Sequence, residues 1–226
     1  MTDDQLDFDV SQDPGRPDYV VDGAPGAMLI IISGPSGVGK DTIIDALQRR
    51  EQETGRQGQR HYVVTCTTRR PRNGEIDGVD YQFLDREEFL RIRAERGFLE
   101  ANEVHGNWYG SPRGQVRDAL VAGRDVILKI DVQGARVVKE QVSEALLIFV
   151  VPPTLETLFE RLRARATETA EQLEVRQAAA AVEIARQHDY DHVVTNETGQ
   201  VERTAEEIDR IIAAEHLRHP ERRVRG

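Results

Sequence analysis

The sequence predicts an α/β fold in which a parallel sheet is flanked by helices. Three observations predict it. Short, mostly apolar runs at 29–32, 125–130 and 145–151 have the length and composition of strands buried on both faces. Segments with apolar residues at helical spacing, such as Leu155, Leu158, Phe159 and Leu162, alternate with them. The first run also ends in a glycine-rich turn that leads directly into a helix-compatible segment, 42–50. In such a sheet, ligands sit at the carboxyl ends of the strands.

The elements follow in order. Residues 1–26 are rich in Asp, Gly and Pro, carry few apolar side chains, and read as a disordered acidic extension. After the first strand and helix comes a polar run, 51–60, and then a short strand at 61–66. Residues 67–80 are dense in Arg, Pro and Gly and read as a functional loop. A strand at 81–84 precedes a helix at 86–96, which Asp85 and Glu88 open as a capping box. Residues 98–104 are extended and 107–111 form a turn. Pro112 fits the first turn of a helix capped by Ser111.

The strand at 125–130 is followed by Asp131 and a helix to about residue 142, then by the strand at 145–151. Residues 167–187 are a polar, Ala- and Glu-rich helical stretch. A last strand occupies 192–195, and Val201, Ala205, Ile208 and Ile212 mark a closing amphipathic helix. The basic end, 218–226, reads as frayed.

Length and composition narrow the function. A chain of 226 residues accommodates one α/β domain with small inserted subdomains. It is 38% hydrophobic and 31% charged, with a formal net charge of −10, which argues against a general nucleic-acid binder. The single cysteine, Cys66, excludes an intrachain disulfide framework and suits a reducing compartment. No apolar run is long enough to cross a bilayer, and the acidic start lacks the apolar core of a signal peptide. The expected location is cytoplasmic.

The glycine-rich turn carries the first chemical signal. Gly34-Pro35-Ser36-Gly37-Val38-Gly39-Lys40-Asp41-Thr42 fits the P-loop pattern G-x-x-x-x-G-K-[ST] at both glycines and the lysine. Its backbone N–H groups and the helix N-terminus would cradle phosphates, and Lys40 would reach the β/γ-phosphates of a nucleotide. Asp41 stands where the pattern has the Ser/Thr that ligates Mg²⁺, and Thr42 follows one residue late. The second signal lies in the loop at 67–80. Arg69 and Arg72 flank Pro71, and two guanidiniums on a stiff loop make a bidentate phosphate clamp to which Tyr81 adds a hydroxyl.

Several motifs in series resemble the guanylate kinase family. They are T-T-R-R-P-R-N-G-E-I-D-G-V-D-Y-Q-F (67–83), F-L-E-A-N-E-V-H-G-N-W-Y-G-S (98–111), D-V-I-L-K-I-D-V-Q-G-A (125–135) and, in the family's lid, R-L-R-A-R-A-T-E-T (161–169). The resemblance implies a P-loop NTPase-type core at 27–63, 116–155 and 188–217. It also implies a GMP-binding insertion at 64–115 and a helical lid at 156–187. The activity implied is transfer of the γ-phosphoryl of ATP to GMP or dGMP, with Mg²⁺ accompanying ATP.

By the same resemblance, Arg69, Arg72, Tyr81 and Tyr109 would bind the phosphate of GMP. Glu100 would accept from the guanine N1–H and 2-amino group, a paired donor edge that adenine lacks. Thr65 and Ser111 match hydroxyl positions at the guanine site. Asp131 lies close to the guanine and the metal, and Glu75 is an acid with a structural role in the loop. Arg161, Arg165 and Arg176 match the lid arginines over the ATP phosphates, and Asn196 falls near the adenine. Lys40, Arg69, Arg165 and Arg176 are then the residues expected to act on the transferring group. Ala164 and Ala166 replace glycines usual in the family's lid.

Two other readings share parts of this pattern. Kinases of ribose bisphosphates resemble guanylate kinases and can carry G-K-D in the P-loop, but the guanine set of Glu100, Thr65 and Ser111 argues against them. The guanylate kinase-like modules of scaffold proteins bind without catalysis, but Lys40 and the lid arginines argue against that. Two roles stay open for Asp41. It could ligate Mg²⁺, or it could pair with Lys129, which stands where the family usually has an acid.

Overall fold

The computed structural model describes residues 23–104, 106–164 and 170–225. In chain order the elements are β1 (Leu29–Ser33), α1 (Lys40–Glu53), β2 (Arg60–Tyr62), β3 (Cys66–Thr67), β4 (Gln82–Phe83), α2 (Arg86–Ala94), β5 (Phe98–Val104) and β6 (Asn107–Pro112). They continue with α3 (Arg113–Val121), β7 (Asp125–Lys129), α4 (Val132–Gln141), β8 (Leu146–Val151), α5 (Leu155–Ala164), α6 (Ala170–Ala185), a 3₁₀ turn, β9 (His192–Thr195) and α7 (Val201–Arg218).

The main sheet has five parallel strands in the order β2-β7-β1-β8-β9. β1 is buried at every position because both of its faces are covered. Leu29 and Ile31 pack with Leu120 of α3 and Val138 of α4. Ile30 and Ile32 face the other way, among Leu47 of α1, Leu162 of α5 and Ile208 of α7. Successive side chains on a strand point to opposite faces, so one apolar run serves two cores. β1 lies between β7 and β8, and the order reverses there. The carboxyl end of β1 is therefore the crevice where ligands bind in such sheets.

A second, four-stranded sheet, β4-β3-β6-β5, projects beside this crevice and was not foreseen from the sequence. The strand expected at 61–66 divides into β2, which joins the main sheet, and β3, which joins the second. The turn expected at 107–111 is instead the strand β6, antiparallel to β5. Pleating sends alternate side chains of β5 and β6 to a small core of Cys66, Phe89 and Phe98 against α2. Burial pushes the Cys66 thiol up to about 11, in keeping with a packing role. Ser111 does not cap α3: Pro112 precedes the helix without a side-chain cap, and the Ser111 hydroxyl is used elsewhere. Asp85 does cap α2, through the Glu88 N–H.

The basic end is not frayed. Val224 is 1% exposed and belongs to the core, and its carbonyl accepts from the Gly23 N–H at 3.1 Å. Ala24 N–H reaches Leu120 O at 2.9 Å, and Gly26 N–H reaches Arg222 O at 2.9 Å. Part of the segment expected to be disordered, Gly23–Gly26, is thus packed, while residues 1–22 lie outside the described residues.

Candidate active site

The turn after β1 is held in a conformation that only glycine allows at its first position. Gly34 has φ 145°, and a β-carbon there would stand 2.3 Å from the Val150 carbonyl oxygen. α1 begins at Lys40, so its free N–H groups and the positive end of its dipole open onto the turn. The Lys40 ammonium folds back to donate to the carbonyls of Gly34 at 2.5 Å and Pro35 at 3.1 Å. Burial holds its pKa below the ordinary lysine value.

Two contacts brace this loop from behind. The Val38 carbonyl accepts from Asn196 Nδ2 at 2.8 Å and from Arg161 at 3.2 Å. Arg161 also donates to the Asn196 carbonyl, and Thr42 Oγ1 donates to the Gly39 carbonyl. From the front, α6 reaches over the loop: Arg176 donates to Ser36 Oγ at 2.7 Å, and Glu183 Oε2 accepts from the Ser36 N–H at 3.3 Å. Arg165, the remaining lid arginine, lies outside the described residues.

Across the cleft, Glu75 organises the arginine loop. It accepts from Arg69 Nη2 at 2.8 Å and from the Arg72 N–H at 2.7 Å. The Arg69 guanidinium also lies 5.3 Å from the Tyr81 ring centroid, and Tyr81 meets Tyr109 edge-on at 6.2 Å. These contacts fix the direction of the Arg69 guanidinium and the backbone of Arg72, and both residues line the cavity.

The floor of the second sheet carries a buried acid. Glu100 on β5 is 5% exposed. Its Oε1 accepts from the Ser111 hydroxyl at 2.6 Å and its Oε2 from Asn102 Nδ2 at 2.8 Å. Burial dominates over these hydrogen bonds and pushes its pKa up to about 7. Thr65 is also buried, and among the described residues its hydroxyl has no hydrogen-bond partner. Asp131 caps α4 through the Gly134 N–H at 2.7 Å and faces the same space.

One cavity of about 550 Å³ collects these groups, within the roughly 300–1,000 Å³ usual for small-molecule clefts. Gly34, Ser36, Gly37, Gly39, Lys40 and Asp41 line one end, with Arg176. Thr65, Arg69, Arg72, Tyr81, Glu100 and Tyr109 line the other, and Asp131 stands between. The carboxylates of Asp41, Glu100, Asp131 and Glu183 line the cleft, and a carboxylate is a hard ligand suited to a divalent cation. Among the described residues no group of three His, Cys, Asp or Glu could hold a metal, so such an ion would share its coordination with a ligand's phosphates.

Three participants had no place in the sequence reading. Asn102 sits two residues from Glu100 on one strand, hence on the same face, and that period-two spacing was the available signal. Glu183 lies two helical turns from Arg176, which also puts it on one face. Gly134 carries no signal of its own, because its importance comes from a close approach to Glu100 across the fold.

A glycine-rich turn at the switch point of a parallel sheet, facing two arginines and a buried carboxylate across one cavity, has the architecture of a P-loop nucleotide phosphotransferase. The comparisons narrow this class. A family model described as guanylate kinase matches residues 26–215. The guanylate kinase of Lactobacillus delbrueckii subsp. bulgaricus is 44% identical over 194 residues, covering 86% of this chain and 92% of that protein. The guanylate kinase of Symbiobacterium thermophilum is 45% identical over 194 residues, covering 86% and 88%. The crystal structure of guanylate kinase from Anaplasma phagocytophilum superposes with a TM-score of 0.68 at 34% identity, covering 87% of this chain and 88% of that one. The chain belongs to the guanylate kinase family.

Proposed function

We propose that this protein transfers the γ-phosphoryl group of ATP to GMP, giving ADP and GDP. The observation that carries the reading is Glu100: a buried carboxylate at the cleft, oriented by Ser111 and Asn102, with the Thr65 hydroxyl nearby. An acceptor-only group suits the paired N1–H and 2-amino donors of guanine, and a hydroxyl donor suits O6. Adenine and uracil present no such edge to a carboxylate.

Phosphoryl transfer needs positioning and charge neutralisation more than covalent chemistry. The P-loop amides and Lys40 hold the donor phosphates, with the Lys40 ammonium exchanging its loop carbonyls for phosphate oxygens. Arg69, Arg72, Tyr81 and Tyr109 hold the acceptor phosphate in line. Arg176 reaches the donor end from the lid side, and Arg161 and Asn196 keep the loop in shape. Mg²⁺ bound with ATP would supply charge neutralisation on the phosphate oxygens, and Asp131 is the residue that would hold it, because the Asp41 carboxylate is engaged by Lys129. No general base is needed, because the attacking oxygen of GMP is already anionic.

An ADP-release assay across GMP, dGMP, AMP, UMP and ribose phosphates tests the reading. Turnover with GMP well above the rest is expected. Preference for a ribose phosphate would point to a kinase of that acceptor, and ADP release with none of them to a binding module.

A further inference from the structure

Asp41 brings a negative charge to the N-terminus of α1, where the phosphates of a nucleotide would lie, and a bare carboxylate there would repel them. The structure supplies its partner. Lys129 is the last residue of β7, in register with Ile32 of β1, so it stands beside the strand end that feeds the P-loop. Its ammonium forms an ion pair and hydrogen bond with Asp41 Oδ1. The same ammonium lies 4.7 Å from the ring centroid of Tyr81, which also carries the Arg69 guanidinium and meets Tyr109. The Lys129 side chain is 16% exposed and that of Asp41 is 52% exposed. An isolated surface pair of this kind contributes little. Here, however, the buried member is the cation, and it lines the same cavity as Lys40. Two lysines lining one cavity make it favourable for an anion.

From this geometry we infer that Lys129 is a positioning residue for phosphoryl transfer, held by Asp41 and Tyr81 at the junction between the donor and acceptor phosphate sites. Asp41 orients the ammonium, and the ammonium cancels the repulsion between Asp41 and the donor phosphates. Tyr81 extends the link to the acceptor clamp, so that one cation lies beside both ends of the transferring group. This rests on the phosphotransferase reading above for its effect on turnover, though not for its effect on nucleotide binding.

The test uses the full chain with Lys129→Met, Lys129→Arg, Asp41→Ser and the Asp41→Ser/Lys129→Met double variant. ATP binding with Mg²⁺ is measured by calorimetry without acceptor, alongside kcat with GMP and the melting temperature. Lys129→Met is expected to weaken ATP binding about tenfold by leaving the Asp41 charge uncompensated, and to lower kcat about tenfold or more. The double variant should regain ATP affinity to within about threefold of the parent while kcat stays low, and Lys129→Arg should retain most of both. Additive effects on ATP binding would overturn the pairing. A kcat within about twofold of the parent in Lys129→Met, with only the melting temperature changed, would reduce Lys129 to a structural role. If the parent itself fails to phosphorylate GMP, the functional reading falls, and the binding cycle alone still decides the pairing.

Discussion

Glu100 and Gly134 approach so closely that a β-carbon on Gly134 would stand 2.9 Å from Glu100 Oε2 and 3.3 Å from Asn102 Nδ2. Gly134 lies in the first turn of α4, whose start is fixed by the Asp131 cap, so the helix cannot withdraw without giving up that hydrogen bond. Gly134→Ala should therefore displace the carboxylate rather than the helix. The expected outcome is GMP binding weakened by about 1–3 kcal/mol, the range for a bidentate base contact, with ATP binding and the melting temperature nearly unchanged. Paired titrations with the two nucleotides check it.

The ionisation of Glu100 should make GMP binding pH-dependent. Burial raises its pKa to about 7 in the free protein, so near neutrality part of the population carries the proton and cannot accept from both guanine donors at once. GMP affinity should rise with pH up to about 7 and then level off, with protons released on binding below that point. Glu100→Gln should lose this dependence and bind GMP about 1–3 kcal/mol more weakly. The sign for stability is opposite to that of a salt-bridged acid. The folded state holds this proton more tightly than the unfolded chain, so the Glu100 contribution diminishes as pH rises from the ordinary carboxylate range to about 7. Calorimetry in buffers of different ionisation enthalpy measures the proton release, and unchanged heats would remove Glu100 from the site.

Asp209 on α7 gathers three arginines from separate elements. It accepts from Arg60 on β2 at 2.7 Å, Arg50 on α1 at 3.0 Å and Arg56 at 3.3 Å. Burial alone would raise its pKa, but the Arg60 and Arg50 hydrogen bonds and charges outweigh it and hold the carboxyl below its usual value. Its stabilising effect is present above the ordinary carboxylate pKa and is lost as pH falls through the lower folded value. Asp209→Ala leaves the buried Arg60 guanidinium with Glu51 as its remaining acidic neighbour at 3.5 Å. Removing one member of a buried pair costs about 3–5 kcal/mol. Urea denaturation should show a loss of this size, and a loss under about 1 kcal/mol would mean the cluster is effectively solvated.

A chain starting at Met28 should be less stable than one starting at Gly23. The shorter chain gives up the backbone hydrogen bonds to Val224, Leu120 and Arg222 and uncovers Val224, which is 1% exposed. A lower melting temperature with kcat intact is the expected result, because these contacts lie at the opposite end of β1 from the P-loop. Equal melting temperatures would show that the segment contributes nothing.

The main sheet and the P-loop were legible because their signals are local: an apolar run buried on both faces, a glycine pattern and a helix start. Lys40 in the P-loop and Arg69, Arg72 and Tyr81 in the arginine-rich loop could be named from local motifs, whereas Glu100 could be named only through the family resemblance. The Asp41–Lys129 pair was legible through two departures that balance in charge. The second sheet was not, although the strand at 81–84 and the extended segment at 98–104 were expected: β3, two residues long, carries no periodicity of its own and merged with the strand expected at 61–66. β6 was hidden by its glycine and serine, which read as a turn although the strand pairs with β5 along its length. The ordered C-terminal segment was hidden because a single apolar residue, Val224, anchors it among charges. The lid carboxylate Glu183 could not be assigned to Ser36, because nothing in a sequence says which turn of a helix faces a loop 147 residues away.

The hydrogen bond between Gly23 and Val224 has a topological consequence. It makes the described chain nearly a closed ring, whose seam lies beside the start of β1 and away from the cleft. Joining the two ends with a short linker and opening the chain elsewhere would preserve every strand pairing of the main sheet. Because Gly58 has open space around it, the loop between α1 and β2 is a natural place for the new ends. A cargo domain fused at either side of the seam would emerge at the same point, leaving the nucleotide cleft unobstructed.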